Sequence, residues 1–236
     1  MEKKISPLNQ AIENILFYIE SNNLKGDNLL PSERYFSQNL NISRTTVRRA
    51  LSKLIKQGKI YKEENKGYFV SPQKILRNVQ DIYSTTQFFK STNANLITKV
   101  LSINEILATK FLSRKLKLQL GTSISVLKRL RLLDGTPVIL ETSYIPTKFF
   151  SKISNVNFET NSLYSSFEQV GLTVEKGIET IEVVPPTDDD QLILKVNSDQ
   201  KIFITRGNTF LENDEPIEYF NMKMVGKIIK FITELT

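Results

Sequence analysis

The chain has 236 residues, 40% of them hydrophobic and 24% charged, which is typical of a globular protein large enough for two ordinary domains. It contains no Cys and no His, which excludes disulfides, zinc fingers and any catalysis that needs a thiolate or an imidazole. The formal net charge of +7 is concentrated in residues 1–75, which carry 13 Lys and Arg against 7 Asp and Glu, and this excess favours a polyanionic partner.

The first predicted element is a helix from Pro7 to Ser21, with Ser6 as its N-cap. Apolar residues recur on one side of this helix at the spacing of a buried stripe. They are Leu8, Ile12, Ile15, Leu16 and Ile19. Because such stripes are usually buried within the same domain, we expect this helix to pack in the N-terminal core rather than bind a partner.

Two further helices are predicted with a tight turn between them. Pro31 and Ser32 begin a short helix that runs to residue 40, and Asn41 tolerates the left-handed conformation that a sharp turn needs. The second helix is expected to run from its N-cap Ser43 to Lys56. Its buried side is expected to be Val47, Ala50, Leu51, Leu54 and Ile55. Its other side is basic or hydroxylic throughout: Thr45, Arg48, Arg49, Ser52, Lys53 and Lys56.

This second helix has the properties of a DNA-recognition helix. Its first turn offers free backbone N–H groups, the positive end of the helix dipole, and hydroxyl and guanidinium groups, all of which suit a phosphate backbone. Arginines that enter a major groove can also contact guanine edges. The alternative is a basic, solvated surface helix, but the preceding helix and turn favour a helix-turn-helix.

Two short strands, residues 59–61 and 67–70, are predicted around the polar tip 63–66, with Gly58 ending the helix before them. These strands would form a wing. The run from residue 30 to 70 contains the elements PSER, SR-TVR-AL-L and G-x-F-V in order. It resembles the winged helix-turn-helix of the GntR superfamily of bacterial transcription regulators.

The resemblance implies roles for eight residues. Base or phosphate contacts are implied for Arg34, Arg44 and Arg48, and contacts to the DNA backbone for Ser43, Thr45 and Thr46. Gly67 would let the wing approach the minor groove closely, and Lys66 stands where the family often has arginine. Since a lysine lacks the planar fork of arginine, weaker or less selective wing contacts are implied.

The pattern changes after Val70. Ser71 and Pro72 end the wing, and residues 73–81 have neither a clear period nor much apolar content. We therefore expect a DNA-binding domain over residues 1–72, a linker over 73–82 and a second domain over 83–236. A mobile linker would let the two domains change their relative orientation, and a rigid connector is the alternative.

The second domain is predicted to be α+β, built on an antiparallel sheet. Strands are expected at residues 97–103, 124–133, 138–145, 174–184, 202–211 and 217–225. Helices are expected at residues 107–118, 162–170 and 188–194, the last one capped by Thr187. Turn residues at 134–137 and 213–216 predict two hairpins.

This half resembles the UTRA effector-binding domain of the HutC-type branch of the same superfamily, which has a chorismate-lyase-like fold. The matching elements are LGT at 120–122, R-x-R-x-x-DG-x-P-x-x-x-E-x-x-Y-x-P at 129–146, SLY at 162–164, and the run from Arg206 to EPIEY at 215–219. The resemblance implies that the effector site is lined by Arg129, Arg131, Glu141, Ser162, Tyr164 and Glu218. It also implies that Ser84 and Thr86 help to hold an anionic group.

The paired arginines carry a geometric prediction of their own. Arg129 and Arg131 are two residues apart on a strand, so they share a face, where they need an anionic partner: Glu141, a ligand, or both. Glu141 shares that face only if the 134–137 hairpin has an odd-length loop, for example three residues with a bulge. The alternative is a set of cross-strand ion pairs on a solvated face, with Tyr164 in the core and Arg206 in a structural ion pair.

These observations predict a sequence-specific DNA-binding transcription regulator. We expect a repressor whose operator affinity is lowered by a small anionic metabolite, such as a phosphosugar or amino-sugar phosphate. It would act without a cofactor, as a homodimer paired through the second domain on palindromic double-stranded DNA. Since there is no membrane-spanning run and no signal-peptide pattern, we expect it in the cytoplasm without a membrane partner. The alternatives are a lyase-like enzyme and a DNA-binding protein without an effector.

Overall fold

The computed structural model describes residues 6–72, 75–78 and 96–233. The chain divides into two compact units, residues 1–73 and 74–236. The first unit consists of α1 (Pro7–Ser21), α2 (Glu33–Leu40), α3 (Arg44–Lys56), β1 (Ile60–Glu63) and β2 (Gly67–Val70). None of the described helices has the length and apolar character needed to cross a bilayer.

Each helix of the first unit begins at a serine. The side chains of Ser6, Ser32 and Ser43 each accept a hydrogen bond from the backbone N–H three residues further along, which satisfies a donor that the helix start leaves free. Asn41 ends α2 in the left-handed conformation, with φ 50° and ψ 42°. The predicted helix-turn-helix is therefore confirmed, and its turn depends on an asparagine that tolerates positive φ.

The core of the first unit lies between α1 and α3. It contains Ala11, Ile12 and Ile15 from α1 together with four fully buried residues of α3: Val47, Ala50, Leu51 and Leu54. Ile55 was expected in the same stripe, but it is 37% exposed. The prediction was wrong there because the contact surface on α3 is narrower than the full apolar pattern of the helix.

The wing is a two-stranded antiparallel ribbon. Strand β1 pairs with β2 from Ile60 opposite Val70 to Glu63 opposite Gly67. The first strand starts one residue later and ends two residues later than the predicted 59–61. Asn65 has a φ of 59° in the turn between the strands, so a second asparagine makes the tight reversal of the chain possible.

The second unit is α+β, as predicted. Its elements are β3 (Ile75–Asn78), β4 (Leu96–Leu107), α4 (Lys110–Leu116), β5 (Ser123–Leu133), β6 (Thr136–Pro146), α5 (Thr147–Phe150) with a following 3-10 turn (Ser151–Ile153), α6 (Leu163–Gln169), β7 (Val174–Val184), α7 (Asp188–Leu194), β8 (Ile202–Leu211), β9 (Pro216–Val225) and β10 (Ile229–Ile232). Six strands form an antiparallel sheet in the order β4-β5-β6-β9-β8-β7, and β3 pairs with β10 in parallel.

Several boundaries in the second unit differ from the predictions. Strand β4 continues four residues past the predicted end at 103, and α4 is confined to Lys110–Leu116 by its N-cap Thr109 and by Lys117 in the left-handed conformation. Part of the segment expected to be a linker is the strand β3. The pattern of residues 73–81 could not predict this strand, because its partner β10 lies about 150 residues away.

A β-bulge sets the register of the first hairpin. Asp134 and Gly135, with φ of 48° and 81°, form a two-residue turn between Leu133 and Thr136. A register shift follows between Arg131 and Leu132, and it places Arg129 opposite Glu141. The turn therefore has two residues and not the odd number that was expected. The bulge nevertheless shifts the pairing by one residue, as one extra loop residue would, and so brings Glu141 to the face of the arginines.

The sheet has two faces that carry different chemistry. The arginine face is defined by Arg129, Glu141 and Glu218, and α6 packs against it through Tyr164. The tyrosine face is defined by Tyr144, Arg206 and Tyr219, and α4 packs against it through Phe111, Leu112 and Leu116. Because side chains alternate along a strand, each inner strand contributes to both faces.

Candidate functional site

The start of α3 holds three hydroxyl groups close together. Ser43 Oγ accepts the backbone N–H of Thr46 at 3.2 Å and lies 2.9 Å from the hydroxyls of both Thr45 and Thr46. Arg44 follows directly and is exposed. Helix dipole, N–H groups, hydroxyls and a guanidinium group therefore meet at one exposed helix end, which suits a phosphate group.

Arg48 is held by Glu33 from the preceding helix. Its Nη2 lies 2.8 Å and its Nε 3.1 Å from Glu33 Oε2, and Tyr68 from the wing donates its hydroxyl to Glu33 Oε1 at 2.7 Å. The hydrogen bond from Arg48 lowers the pKa of Glu33, while burial and Glu33 raise the pKa of Tyr68 to about 12. The Arg48 side chain nevertheless remains 65% exposed, so its guanidinium group is oriented but accessible.

The remaining predicted DNA contacts lie on α2 and the wing. Arg34 is exposed on α2, and Lys66 is an exposed residue of the wing that pairs with Glu63 at 2.9 Å. Gly67 has a φ of 115°, a region open to glycine, and a Cβ there would lie 3.3 Å from Leu29 Cδ1. A glycine at this position therefore has a structural reason beside the implied approach to DNA.

On the arginine face, one carboxylate serves two buried arginines. Glu141 Oε2 lies 2.9 Å from Arg129 Nη2 and 3.1 Å from Arg131 Nη2, and the two arginines are 2% and 1% exposed. Burial alone would raise the pKa of Glu141, but the two guanidinium charges outweigh burial and lower it. The alternative of ion pairs on a solvated face is therefore wrong.

Arg129 keeps two buried donors without an acceptor. Over residues 6–72, 75–78 and 96–233, no acceptor forms a hydrogen bond with its Nε or Nη1. Buried N–H groups that make no hydrogen bond are costly, and for a charged group the cost is larger. Among the described residues, Arg129 therefore has hydrogen-bonding capacity left for one more anionic or carbonyl acceptor.

Glu218 and Tyr164 form a second polar pair on the same face. Tyr164 donates its hydroxyl to Glu218 Oε2 at 2.9 Å, and Thr209 donates to the same oxygen at 3.3 Å. Burial raises the pKa of Glu218, and the nearby Glu141 carboxylate raises it further. Ser162 is buried and caps α6 by accepting the N–H of Ser165 at 3.4 Å. Ser84 and Thr86 lie outside the described residues.

Arg77 of β3 is a charged residue on the arginine face that the pattern of residues 73–81 did not reveal. Its Nη2 lies 2.7 Å from Glu179, its Nη1 donates to Thr205 at 3.5 Å, and its guanidinium carbon lies 5.5 Å from the centre of the Phe231 ring. Its charge also contributes to the lowered pKa of Glu141. The face thus contains three guanidinium groups.

The sequence did not predict the roles of three residues, Glu33, Tyr68 and Arg77, and one reason explains this. Glu33 and Arg48 are 15 residues apart, and Arg77 is 102 residues from Glu179. Spacing rules within a single helix or strand do not detect such pairs.

The described part of the chain has no group of three or more acidic side chains placed to hold a metal ion.

Comparison with protein families matches both units. The model for bacterial regulatory proteins of the gntR family matches residues 7–70, and the UTRA domain model matches residues 91–229. The HTH-type transcriptional repressor NagR of Bacillus subtilis is 28% identical over 224 residues, covering 94% of this chain and 92% of that protein. The probable fructoselysine utilization operon transcriptional repressor of Shigella flexneri is 26% identical, covering 80% of this chain and 77% of that protein.

The crystal structure of PhnF from Mycobacterium smegmatis has the same fold. It superposes with a TM-score of 0.73 at 19% identity, covering 96% of this chain and 99% of that one. The two family matches follow one another in the same order as the winged helix and the six-stranded sheet. The chain therefore belongs to the gntR family of bacterial regulatory proteins, in the HutC-type branch with a UTRA domain, and it is a DNA-binding transcription regulator rather than an enzyme.

Proposed function

We propose that this regulator is a repressor that leaves its operator when a small anionic metabolite binds to the arginine face. The expected metabolite class is a phosphosugar or an amino-sugar phosphate. NagR and the fructoselysine operon regulator are both named as repressors, which supports the sign of regulation. The residues proposed to line the site are Arg129, Arg131, Glu141, Ser162, Tyr164 and Glu218, with Ser84 and Thr86 outside the described residues.

The observation that carries this proposal is the pair of unsatisfied donors on Arg129. Its Nε and Nη1 are buried and have no acceptor in the part of the chain that the structure describes. A phosphate oxygen accepts from a guanidinium group with favourable geometry and would neutralise its charge. Tyr164, Glu218 and Thr209 offer hydroxyl and carboxylate groups that suit the hydroxyls or amide of a sugar.

On the DNA side, we propose a homodimer that places two copies of α3 in successive major grooves of a palindromic operator. The two half-sites would then be about 34 Å apart, one turn of the double helix. Effector binding would favour an arrangement of the two domains with a different spacing and so lower operator affinity. Arg34, Arg44 and Arg48 are proposed to contact bases or phosphates, and Ser43, Thr45 and Thr46 the DNA backbone. Lys66 and Gly67 are proposed to bring the wing to the minor groove.

A gel-shift titration on DNA flanking the protein's own gene tests this proposal. We expect binding to the flanking fragment, and release of that fragment by at least one phosphosugar but not by the matching neutral sugar. An Arg129→Gln variant should bind the fragment and respond less to the ligand, whereas Arg114→Gln, at an exposed position of α4, should respond normally. If no phosphosugar raises the melting temperature or releases the DNA, the protein binds DNA independently of such effectors and the proposal fails.

A further inference from the structure

The tyrosine face carries two adjoining cavities that the proposed function does not use. Their volumes are about 450 and 410 Å³, and both are lined by Phe111, Arg206 and Tyr219. The first also includes Tyr144 and Asn221, and the second includes Lys115. Because the two cavities share these three lining residues, we refer to them together as the tyrosine-face cavity.

Strand alternation explains why these residues are separated from the arginine face. Tyr144 follows Glu141 by three residues and Tyr219 follows Glu218 by one, so each carboxylate and its neighbouring tyrosine lie on opposite faces of the sheet. Tyr144 and Tyr219 are directly opposite each other in the register of β6 and β9. The two strands therefore supply the acids of one site and the rings of the other.

Three aromatic rings surround the cavity. The Tyr144 and Tyr219 ring centres are 5.9 Å apart with planes tilted by 35°, and Phe111 meets Tyr219 edge-on at 5.4 Å. A ring-shaped ligand can stack on such rings or meet them edge-on, and each contact of this kind is favourable beyond simple burial. The aromatic lining therefore favours a ligand with a flat or ring-shaped apolar body.

Two cations and one amide complete the lining. Arg206 pairs with Glu182 through Nη1 at 2.6 Å, and both side chains are partly exposed at the rim. Lys115 Nζ lies 5.6 Å from the centre of the Tyr219 ring and 5.7 Å from that of Phe111. Asn221 Oδ1 is buried and has no hydrogen-bond donor among the described residues. The acid of the second cavity, Glu179, is already paired with Arg77.

We propose that this cavity is a second ligand site, for a ring-bearing organic anion that also carries a hydroxyl or amide N–H. The anionic group would accept from Arg206, the ring would lie against Tyr144 and Tyr219, and the donor would satisfy Asn221 Oδ1. A carboxylate and a phosphate monoester share this chemistry. The site is distinct from the arginine face and does not depend on the identity of the effector proposed above.

Calorimetric titration of the full-length protein tests the site with defined probes. The ring-bearing anions are 3-hydroxybenzoate and 3-hydroxyphenyl phosphate, which both carry a hydroxyl donor and separate a carboxylate from a phosphate source. Acetate and inorganic phosphate lack the ring, and benzyl alcohol lacks the charge. We expect one ring-bearing anion to bind in the millimolar range or tighter, and the other three probes to bind at least about tenfold more weakly. Binding by neither ring-bearing anion, or equal binding by acetate or phosphate, would overturn the proposal.

Variants locate the bound probe. Arg206→Gln should weaken binding about tenfold or more, because it removes the charged donor, while Arg114→Gln removes an exposed charge from the same helix as Lys115 and should change binding less than about twofold. Lys115→Gln provides a second lining variant should Arg206→Gln lose its native circular dichroism, and it should weaken binding more than Arg114→Gln. If Arg129→Gln abolishes binding while the lining variants do not, the probe occupies the arginine face and the inference is wrong.

Discussion

The arginines of α3 and those of β5 use the same chemical group under opposite conditions. Arg48 is bound by Glu33 on two nitrogens and keeps 65% of its side chain exposed, whereas Arg129 is 2% exposed and shares the Glu141 carboxylate with Arg131. An exposed guanidinium group loses little hydration when the protein folds, and it can bind a large polyanion at the protein surface. The affinity of that binding decreases as the salt concentration rises. The charge of a buried guanidinium group is screened less by salt, and such a group suits a small anion that enters the protein.

The largest expected effect comes from removing the carboxylate between the buried arginines. Glu141→Gln leaves Arg129 and Arg131 without their shared anion, so the free energy of unfolding of the second unit should fall by about 3–5 kcal/mol. Urea denaturation followed by circular dichroism measures this loss. The control is Glu182→Gln, whose carboxylate pairs with Arg206 at the surface and should cost less than about 1 kcal/mol. Equal losses in both variants would break the comparison.

Next in size are the exposed arginines. Arg44→Ala and Arg48→Ala should each weaken operator binding by about 1–3 kcal/mol, because each removes a proposed base or phosphate contact. The free energy of unfolding should change by less than about 0.5 kcal/mol, since both side chains are exposed. Gel-shift titrations at several salt concentrations measure the affinity. Lys56→Ala, at the far end of the same helix, is the matched control, and unchanged binding by both arginine variants would refute α3 as the recognition helix.

A smaller effect is expected from Glu33, which orients Arg48. Glu33→Gln removes the ionic hydrogen bonds to Arg48 and leaves its side chain with more freedom. We expect the ratio of specific to non-specific DNA affinity to fall about fivefold, or roughly 1 kcal/mol. Competition gel shifts with operator and unrelated DNA measure this ratio. Glu63→Gln, which releases Lys66 on the wing, should change the ratio less, and a larger effect there would contradict the orienting role.

The smallest effect concerns pH. Burial raises the pKa of Glu218, so its contribution to stability is complete below the unfolded value of about 4.3 and is lost as the pH rises through the raised folded value. Glu141 has a lowered pKa, so its contribution is present above about 4.3 and is lost as the pH falls through its folded value. Melting curves between pH 4 and 8 should therefore show Glu218→Gln gaining stability relative to the parent as pH rises. A constant difference would show that Glu218 does not titrate in this range.

Local signals explain how much of the fold could be predicted. Serine N-caps and the left-handed Asn41 mark the helix-turn-helix within a few residues of where it occurs, and the alternating strands of the second unit follow their apolar pattern. The bulge between Arg131 and Leu132 was beyond such signals. It depends on how β6 fits between two neighbouring strands, and it decides which face Glu141 occupies.

The candidate sites divide in the same way. Arg129 and Arg131 could be placed on one face from their spacing along a strand, whereas the face of Glu141 depends on the bulge in the hairpin. Arg77 and Glu33 could not, since their partners come from distant parts of the sequence. Ile55 shows the converse error, because a helical period gives the direction of a side chain but not the width of the surface that covers it.

The parallel pair of β3 and β10 joins the beginning of the second unit to its end. Ile75 lies opposite Ile229 and Asn78 opposite Ile232, so a chain terminated before residue 229 would retain all six strands of the main sheet but lose the partner of β3. Strand β3 would then have no partner strand among the described residues, so its backbone would lose the ladder that orders it. The last described strand therefore anchors the first strand of the same unit, although about 150 residues of sequence separate them.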